Sequence, residues 1–486
     1  MGNNSVKGAE PRVEAGKNRD RSSRALNTTA TLSPGSWGAS LKAAKRAIGG
    51  ASRILVYLGA TVAPLVLAWS GMEPGRGFLV ELSVALGFVG LSLIGLQFLL
   101  AARFRWVEAP FGMDLLLRYH LQIGYVCLLF ILAHPALLFV ADGDYLELLL
   151  EVTDAPLLAQ MGVTSIVALL VLVGLAVWRK KLRIGYELWQ WTHGVLAFVV
   201  VATALTHVLL VGYYINEPLE IALWLWMSMV FVGLVLWVRV VRPLELRGKA
   251  WRVEDVIPER GGIHTVVLEP SKRRARKFDG FRFEPGQFAW LTVGKSPFAI
   301  TRHPFSISSS AEKTDRVTMS IKAAGDFTRK IASLKPGAAA YLDGPYGAFT
   351  MDLHNGPGFV FIGAGVGITP LMSMLRTMAD RKDTRPCYLF FGNREWEGVA
   401  FREEIKELES RLNLEVVHVL SRPPEGWEGE EGRIGAAVLA RHLPGEYRSL
   451  QYFICSPDPM MDAAEGALVD LGVPARRIHS ERFAMA

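Results

Sequence analysis

The chain has 486 residues, 51% of them hydrophobic, with a formal net charge of +7 and only three cysteines. That length allows about three domains, and the apolar excess is concentrated in residues 54–241 rather than spread evenly. Cys127, Cys387 and Cys455 have neither a metal-ligand spacing nor a disulfide-framework spacing. The positive charge gathers in the first 53 residues and beside the apolar stretches, so it reads as membrane-surface and orientation charge, and no nucleic-acid motif accompanies it.

Residues 1–50 are rich in Ser, Gly, Asn, Arg and Lys and are expected to form a disordered basic tail. No short apolar run with a cleavage site follows the early basic residues, which excludes an ordinary secretory signal. Six apolar stretches follow, near 54–70, 78–101, 119–141, 162–178, 190–214 and 219–240, each about long enough to cross a bilayer. Their loops alternate in charge. Arg103, Arg105 and Arg118 follow the second span, Arg179, Lys180, Lys181 and Arg183 the fourth, and Arg239, Arg242 and Arg247 the sixth. The intervening loops carry Asp142, Asp144, Glu147, Glu151 and Asp154, then Glu217 and Glu220. By the positive-inside rule both termini face the cytoplasm, in a plasma (cell inner) membrane.

His120 and His134 lie in the third span, and His193 and His207 in the fifth. Each pair is fourteen residues apart. That is close to four helical turns, so both imidazoles of a span face one way at depths about 21 Å apart. Spans separated by one helix run in the same direction. His120 and His193 are thus expected at one depth, nearer the cytoplasm, and His134 and His207 at the other. Imidazole is a good axial ligand for haem iron, so each level is expected to hold one haem. Hydrogen bonding of each histidine to a neighbouring helix is the plainer alternative. Arg118 and the 179–183 cluster are candidates for haem propionates, and Cys127, midway between the third-span histidines, reads as packing.

After Pro243 the pattern changes. TVVLEP (265–270), GQFAWLTV (286–293) and RVTMSIKA (316–323) read as strands of a small antiparallel barrel. From about residue 357, GFVFIGAG (358–365), CYLFFGNR (387–394), LEVVHVLS (414–421) and QYFICSP (451–457) alternate with helical segments, which implies a doubly wound, mostly parallel sheet. The fold expected is a six-helix transmembrane bundle (51–243), an antiparallel β-barrel (244–354) and an α/β nucleotide-binding domain (355–486).

In the barrel, RHPFSIS (302–308) offers a cation, an aromatic and hydroxyls at spacings that suit a flavin. His303 is expected at the pyrophosphate, Phe305 on the ring system and Ser306 as a hydrogen-bond partner, with Pro304 and Ser308 in the same run. Lys322, Gly325 and Thr328 form a second candidate phosphate-approach segment. GAGVGITP (363–370) lies at a strand-to-helix turn. There Gly363, Gly365, Gly367, Thr369 and Pro370 would let a dinucleotide phosphate reach backbone amides. Arg394, Ser421 and Arg422 follow predicted strands, where a hydroxyl and guanidinium could clamp a 2′-phosphate, and no acidic residue stands there to select a 2′-hydroxyl. This favours NADPH over NADH.

Residues 51–486 resemble the NADPH oxidase and ferric reductase family. The resemblance rests on the paired histidines of the third and fifth spans, on HPFS and IKAAGDFT, and on GAGVGITP, FGNRE and CSPDPMM. It implies a bis-haem b bundle fused to a ferredoxin-reductase-like module for FAD and NADPH. It also implies that Cys455 lies near the nicotinamide and that Phe483 covers the flavin ring. Electrons would pass from cytosolic NADPH through FAD and the two haems to an acceptor on the far side. Oxygen (giving superoxide), a ferric chelate and a separate protein are the candidate acceptors. The chain has no calcium-binding loop of the D-x-D-x-D-G type and needs no activating partner on this reading. Association with further copies stays open. A non-enzymatic transporter with a nucleotide-binding domain is the alternative of another class, but it would leave the flavin motifs unexplained.

Overall fold

In a computed structural model, the structure describes residues 34–70, 75–108, 111–151, 153–272, 278–294, 296–299 and 302–482. Six helical stretches among them are long and apolar enough to cross a membrane: Ile48–Trp69, Phe78–Ala101, Leu115–Ala141, Leu157–Trp178, Tyr186–Val211 and Pro218–Gly248. They belong to helices α1 (Pro34–Ser70), α2 (Phe78–Ala101), α4 (Met113–Ala141), α6 (Leu157–Trp178), α7 (Tyr186–Val211) and α8 (Pro218–Leu236). Two short helices in the connections, α3 (Arg105–Glu108) and α5 (Asp144–Leu150), went unanticipated. Most of the tail expected to be disordered, residues 1–33, lies outside the described residues, and from Pro34 the backbone is helical.

Local chemistry sets the ends of the spans. Gly112 (φ 80°) turns the chain into α4, and Gly212 in the left-handed region (φ 67°) closes α7. Glu217 and Glu220 form a reciprocal capping arrangement at the start of α8, with Pro218 in the first turn where its missing N–H costs nothing. The sixth span does not stop near residue 240. It passes through a π-helical turn, Trp237–Val241, into α9 (Arg242–Gly248). Pro243 has no N–H to donate, and it sits in the first turn after the widened one, where this defect is absorbed.

The bundle is built from two closely packed hairpins, α2 against α4 and α6 against α7. Small residues permit the approach: a Cβ on Gly90 would come within 2.9 Å of Ile131, and Ser165 reaches across to donate to the Val200 carbonyl at 3.0 Å.

Six antiparallel strands follow: β1 (Trp251–Pro258), β2 (Ile263–Pro270), β3 (Phe288–Val293), β4 (His303–Ser306), β5 (Val317–Lys322) and β6 (Ala339–Tyr346). Their order is β4-β3-β6-β1-β2-β5, and a bridge between Ile307 and Met319 joins the two ends, so the sheet closes on itself. Alternate residues of these strands, among them Val253, Val266, Leu268, Leu291, Val317 and Met319, fill the interior.

The last six strands are β7 (Phe359–Ala364), β8 (Cys387–Asn393), β9 (Leu414–Leu420), β10 (Glu430–Glu431), β11 (Gln451–Cys455) and β12 (Ile478–Ser480). All pairings are parallel, in the order β10-β9-β8-β7-β11-β12. Both faces are covered by apolar clusters, which is why the strands read as unbroken hydrophobic runs. The order reverses between β7 and β11, and that switch point opens a crevice at their carboxyl ends. The three-part fold expected from the sequence is thus the one observed.

Candidate functional site

The four histidines meet in pairs, as their spacing required. His120 of α4 faces His193 of α7 with ring centres 6.3 Å apart, and His134 faces His207 at 6.4 Å. An imidazole nitrogen lies about 1.1 Å from its ring centre and a metal–nitrogen bond is about 2.0–2.1 Å, so two rings ligating one ion from opposite sides stand roughly 6.2–6.4 Å apart. Both pairs meet that condition.

Their surroundings differ. His207 Nδ1 is 2.7 Å from the Leu158 carbonyl of α6, and His134 Nδ1 is 2.9 Å from the Ser83 carbonyl of α2. Donation from Nδ1 requires the Nδ1–H tautomer, which leaves each Nε2 lone pair free to ligate. Ser83 Oγ also lies 2.9 Å from His134 Nδ1 and donates to the His134 carbonyl at 2.6 Å. Each ring is seated on a glycine one turn along the neighbouring helix. A Cβ on Gly87 would stand 3.2 Å from His134 Nδ1, and one on Gly162 would stand 3.0 Å from His207 Nδ1. The two hairpins thus present their histidines in the same way. In the other pair, Nδ1 of His120 and of His193 is buried without a hydrogen-bond partner among the described residues.

No group of three or more His, Cys, Asp or Glu side chains able to hold a metal occurs among the described residues. A metal between either pair must therefore bring its remaining ligands with it. Two opposed imidazoles and a tetradentate macrocycle meet that need, so the residues present fit a haem.

In the barrel, β4 carries the HPFS run. His303 stacks on Phe327 with centroids at 4.1 Å, and Phe305 lies parallel to Phe327 at 6.0 Å. Ser306 is 5% exposed, and its Oγ has no partner among the described residues, which suits a ligand's polar edge. Pro304 pairs with Trp290 of β3, so its missing N–H falls beside an edge of the strand order. Ser308 is placed otherwise: fully buried, it is engaged by Thr318 Oγ1 at 2.8 Å and Ser320 Oγ at 3.0 Å inside the barrel. Thr328 likewise closes its own turn, accepting from the Ala324 and Gly325 amides at 2.9 and 2.8 Å. Those two amides are therefore engaged locally, while Lys322 stands exposed at the end of β5.

The barrel strand carrying His303 touches the bundle. Tyr186, the first residue of α7, lies 5.9 Å from His303, and Trp189 lies 5.3 Å from His193. At the same joint, Arg103 covers the Trp290 ring at 3.6 Å, Arg105 donates to the Gly344 carbonyl, and Gly347 N donates to Glu108 Oε1 at 2.8 Å. Asp343 is buried and accepts from Arg242 at 2.5 Å, from Tyr346 at 2.9 Å and from Arg302 at 3.2 Å. Burial alone would push its carboxyl up, but Arg242, Arg103 and Arg302 outweigh this and hold it below the usual carboxylate range.

In the last domain the turn Gly365–Gly367 joins β7 to the helix Ile368–Asp380 at the switch point. Gly365 has φ 52°, and a Cβ on Gly367 would lie 2.1 Å from the Cys455 carbonyl. Gly363 gives room for Leu371, whose Cδ1 would be 2.9 Å from an added Cβ. Thr369 Oγ1 donates to the Val366 carbonyl at 2.8 Å and reaches the Ser320 carbonyl of the barrel at 3.3 Å. Pro370 is buried in the helix's first turn. Cys455 is fully buried opposite Gly363, and burial followed by the nearby Glu481 pushes its thiol well up, so it stays neutral. Ser456 is 6% exposed, with Oγ unpartnered among the described residues. Arg394, Ser421 and Arg422 stand exposed at the ends of β8 and β9, which stay bonded there through Ser421 N to Asn393 O and Arg422 N to Arg394 O. Phe483 lies outside the described residues.

Residues 86–204 match the ferric reductase like transmembrane component, 264–350 an FAD-binding domain, and 361–466 an oxidoreductase NAD-binding domain. The chain belongs to the ferric reductase and NADPH oxidase family. Within this family architecture the barrel is the FAD-binding domain and the parallel sheet the NAD(P)H-binding one. The reductase half is 31% identical over 238 residues to ferredoxin–NADP reductase B of Sorangium cellulosum (strain So ce56), covering 46% of this chain and 93% of that protein. It is 29% identical over 247 residues to the propane 2-monooxygenase reductase component of Rhodococcus jostii (strain RHA1), covering 49% of this chain and 64% of that one. Among solved structures, the flavohem-like FAD/NAD-binding domain of nitric oxide dioxygenase from Vibrio cholerae O1 biovar El Tor is 22% identical, with a TM-score of 0.42 over 49% of this chain and 98% of that one.

Sequence reasoning missed Ser83, Gly87, Leu158 and Gly162 behind His134 and His207, and the pairing of Asp343 with Arg302 and Arg242 at the joint. A serine or glycine in an apolar span carries no local signal of what it faces.

Proposed function

We propose that this oxidoreductase moves electrons from cytosolic NADPH through FAD and two haems b to oxygen on the far side of a plasma (cell inner) membrane, giving superoxide. The observation that carries this reading is the pair of opposed imidazoles at each of two depths, at the spacing one shared metal ion demands. When bound, FAD accepts a hydride and releases single electrons, and each haem passes one electron at a time.

The chain's own residues bind, orient and seal. Gly363, Gly365 and Gly367 bring backbone amides to the dinucleotide, while Arg394, Ser421 and Arg422 are exposed for a 2′-phosphate. The Sorangium relative is itself named a ferredoxin–NADP reductase, which agrees with that preference. Ser306 offers its unpaired hydroxyl to the flavin, and Phe305 offers its ring face. His120 and His193 hold the inner haem, and His134 and His207 the outer one. The arginine-rich ends of α2, α6 and α8 set the inner side.

An apolar cluster in the half of the bundle that holds His134 and His207 supports oxygen as acceptor. Ala68, Phe88, Leu91, Tyr214, Ile215 and Trp224 form a buried cluster at that end of the bundle. A small neutral molecule partitions into such packing, while a charged chelate does not. Ferric-chelate reduction is the second reading. It is favoured by an open cavity of about 440 Å³ at the outer end of α4, lined by Asp142, Asp144, Glu147, Glu151 and Asp154.

The test is NADPH oxidation by the detergent-purified protein. Dye reduction abolished by superoxide dismutase supports the oxidase. Turnover only with a ferric chelate present replaces it with the second reading, and a dithionite-reduced spectrum without haem b bands removes both.

A further inference from the structure

The joint between bundle and barrel is organised by one carboxylate. Asp343 lies in β6 with its side chain 3% exposed, and two guanidiniums reach it from different parts of the molecule. Arg242 comes from α9, where the chain leaves the membrane, and places Nε at 3.0 Å and Nη2 at 2.5 Å from Oδ1. Arg302 immediately precedes the HPFS strand and places Nη1 at 3.2 Å from Oδ2. Tyr346 donates to Oδ1 at 2.9 Å. Arg302 is tied further to the Pro297 carbonyl at 3.1 Å, and Arg242 to Glu245 at 2.9 Å.

A buried carboxylate between a buried and a half-buried arginine is a costly way to gain stability, since desolvation offsets much of the attraction. Its geometric effect is specific. It bridges the last membrane helix to the strand that carries His303, and that strand is the one in contact with α7 through Tyr186. Moving Asp343 away would release both arginines at once, and with them the register of the flavin strand over the His120–His193 pair.

We infer that Asp343 is a positioning residue for the electron step between the flavin and the inner haem, acting by pinning Arg242 and Arg302 across the joint. The inference rests on the proposed function. The residues that would receive the nicotinamide lie at the β7–β11 crevice, and Asp343, in β6, is not one of them.

The experiment compares full-length wild type, Asp343→Asn, Asp343→Glu and Arg242→Gln in detergent. Two rates are read: NADPH-driven reduction of ferricyanide, which takes electrons at the flavin, and anaerobic NADPH-driven haem reduction by stopped flow. In Asp343→Asn the first rate stays within about twofold and the second falls at least about tenfold. Asp343→Glu recovers part of the loss. Arg242→Gln leaves Asp343 its Arg302 partner inside the barrel, so the flavin domain stays folded while the same haem-specific loss appears. Unchanged haem reduction in both Asp343→Asn and Arg242→Gln overturns the inference, as does a parallel fall of both rates with loss of flavin. A wild type that contains no haem, or whose haem NADPH fails to reduce, overturns the proposed function instead.

Discussion

Gly162→Val tests the seat of His207 directly. The Cβ alone would stand 3.0 Å from His207 Nδ1 and 3.2 Å from Cε1, inside ordinary contact, and on the side where Nδ1 donates to Leu158. Alanine would drive the ring back by a few tenths of an ångström, whereas valine adds two more methyls to the same gap. Overpacking of this kind costs about 1–3 kcal/mol, which corresponds to roughly 5- to 150-fold weaker holding of whatever His207 ligates. The purified variant is assayed for haem per polypeptide by pyridine haemochrome and for flavin by fluorescence after denaturation. Occupancy is expected to fall from two haems toward one with flavin unchanged. Gly87→Ala should be milder than Gly162→Ala, because its Cβ would stand 3.2 Å from His134 Nδ1. Gly59→Ala serves as the control, since a Cβ there meets nothing within 4 Å. Two fully occupied haems with an unaltered spectrum in Gly162→Val would refute the reasoning.

Further substitutions probe the other parts. His134→Ala should abolish the outer haem and delivery to the far side while NADPH still reduces the flavin; full superoxide output from that variant would show that another residue ligates. Arg422→Glu should raise KM for NADPH about tenfold with little change for NADH, and equal effects on the two nucleotides would argue against a 2′-phosphate contact. His479, stacked on His354 at 3.6 Å, is lowered to about 3, first by burial and then by His354. A depressed histidine favours the neutral folded state, so its contribution is full above the unfolded value near 6.5 and is lost as pH falls toward 3. At pH 5.5 this loss is about 1 kcal/mol, so His479→Phe should flatten the decline in Tm between pH 7 and 5.5. An unchanged pH slope would place the acid sensitivity elsewhere.

The apolar spans, the parallel sheet and the histidine pairing were legible in the sequence because each depends on periodicity along one chain segment. Fourteen-residue spacing puts His120 and His134 on one face whatever else surrounds them. What stood behind the rings was not legible. Ser83 and Leu158 act through a side chain and a carbonyl whose direction is set by how α2 and α6 pack. Ser308 and Thr328 looked available for a flavin, but strand register turns Ser308 inward to Thr318, and local turn geometry spends Thr328 on its own amides. Nothing beside Asp343 in the sequence shows its partners: Arg302 is distant in sequence and meets it when the barrel forms, and Arg242 only when bundle and barrel dock. The sixth span outran its apolar stretch because the π-helical turn lets the helix continue through Pro243 to Gly248.

An anaerobic reductive titration of the purified protein with NADPH puts the central claim to the most direct test. A flavin and two haems together accept four electrons per chain, so the account predicts that about two NADPH per chain are consumed, with haem bands developing as the flavin bleaches. Consumption of one NADPH per chain, with flavin bleaching and no haem band, would contradict it.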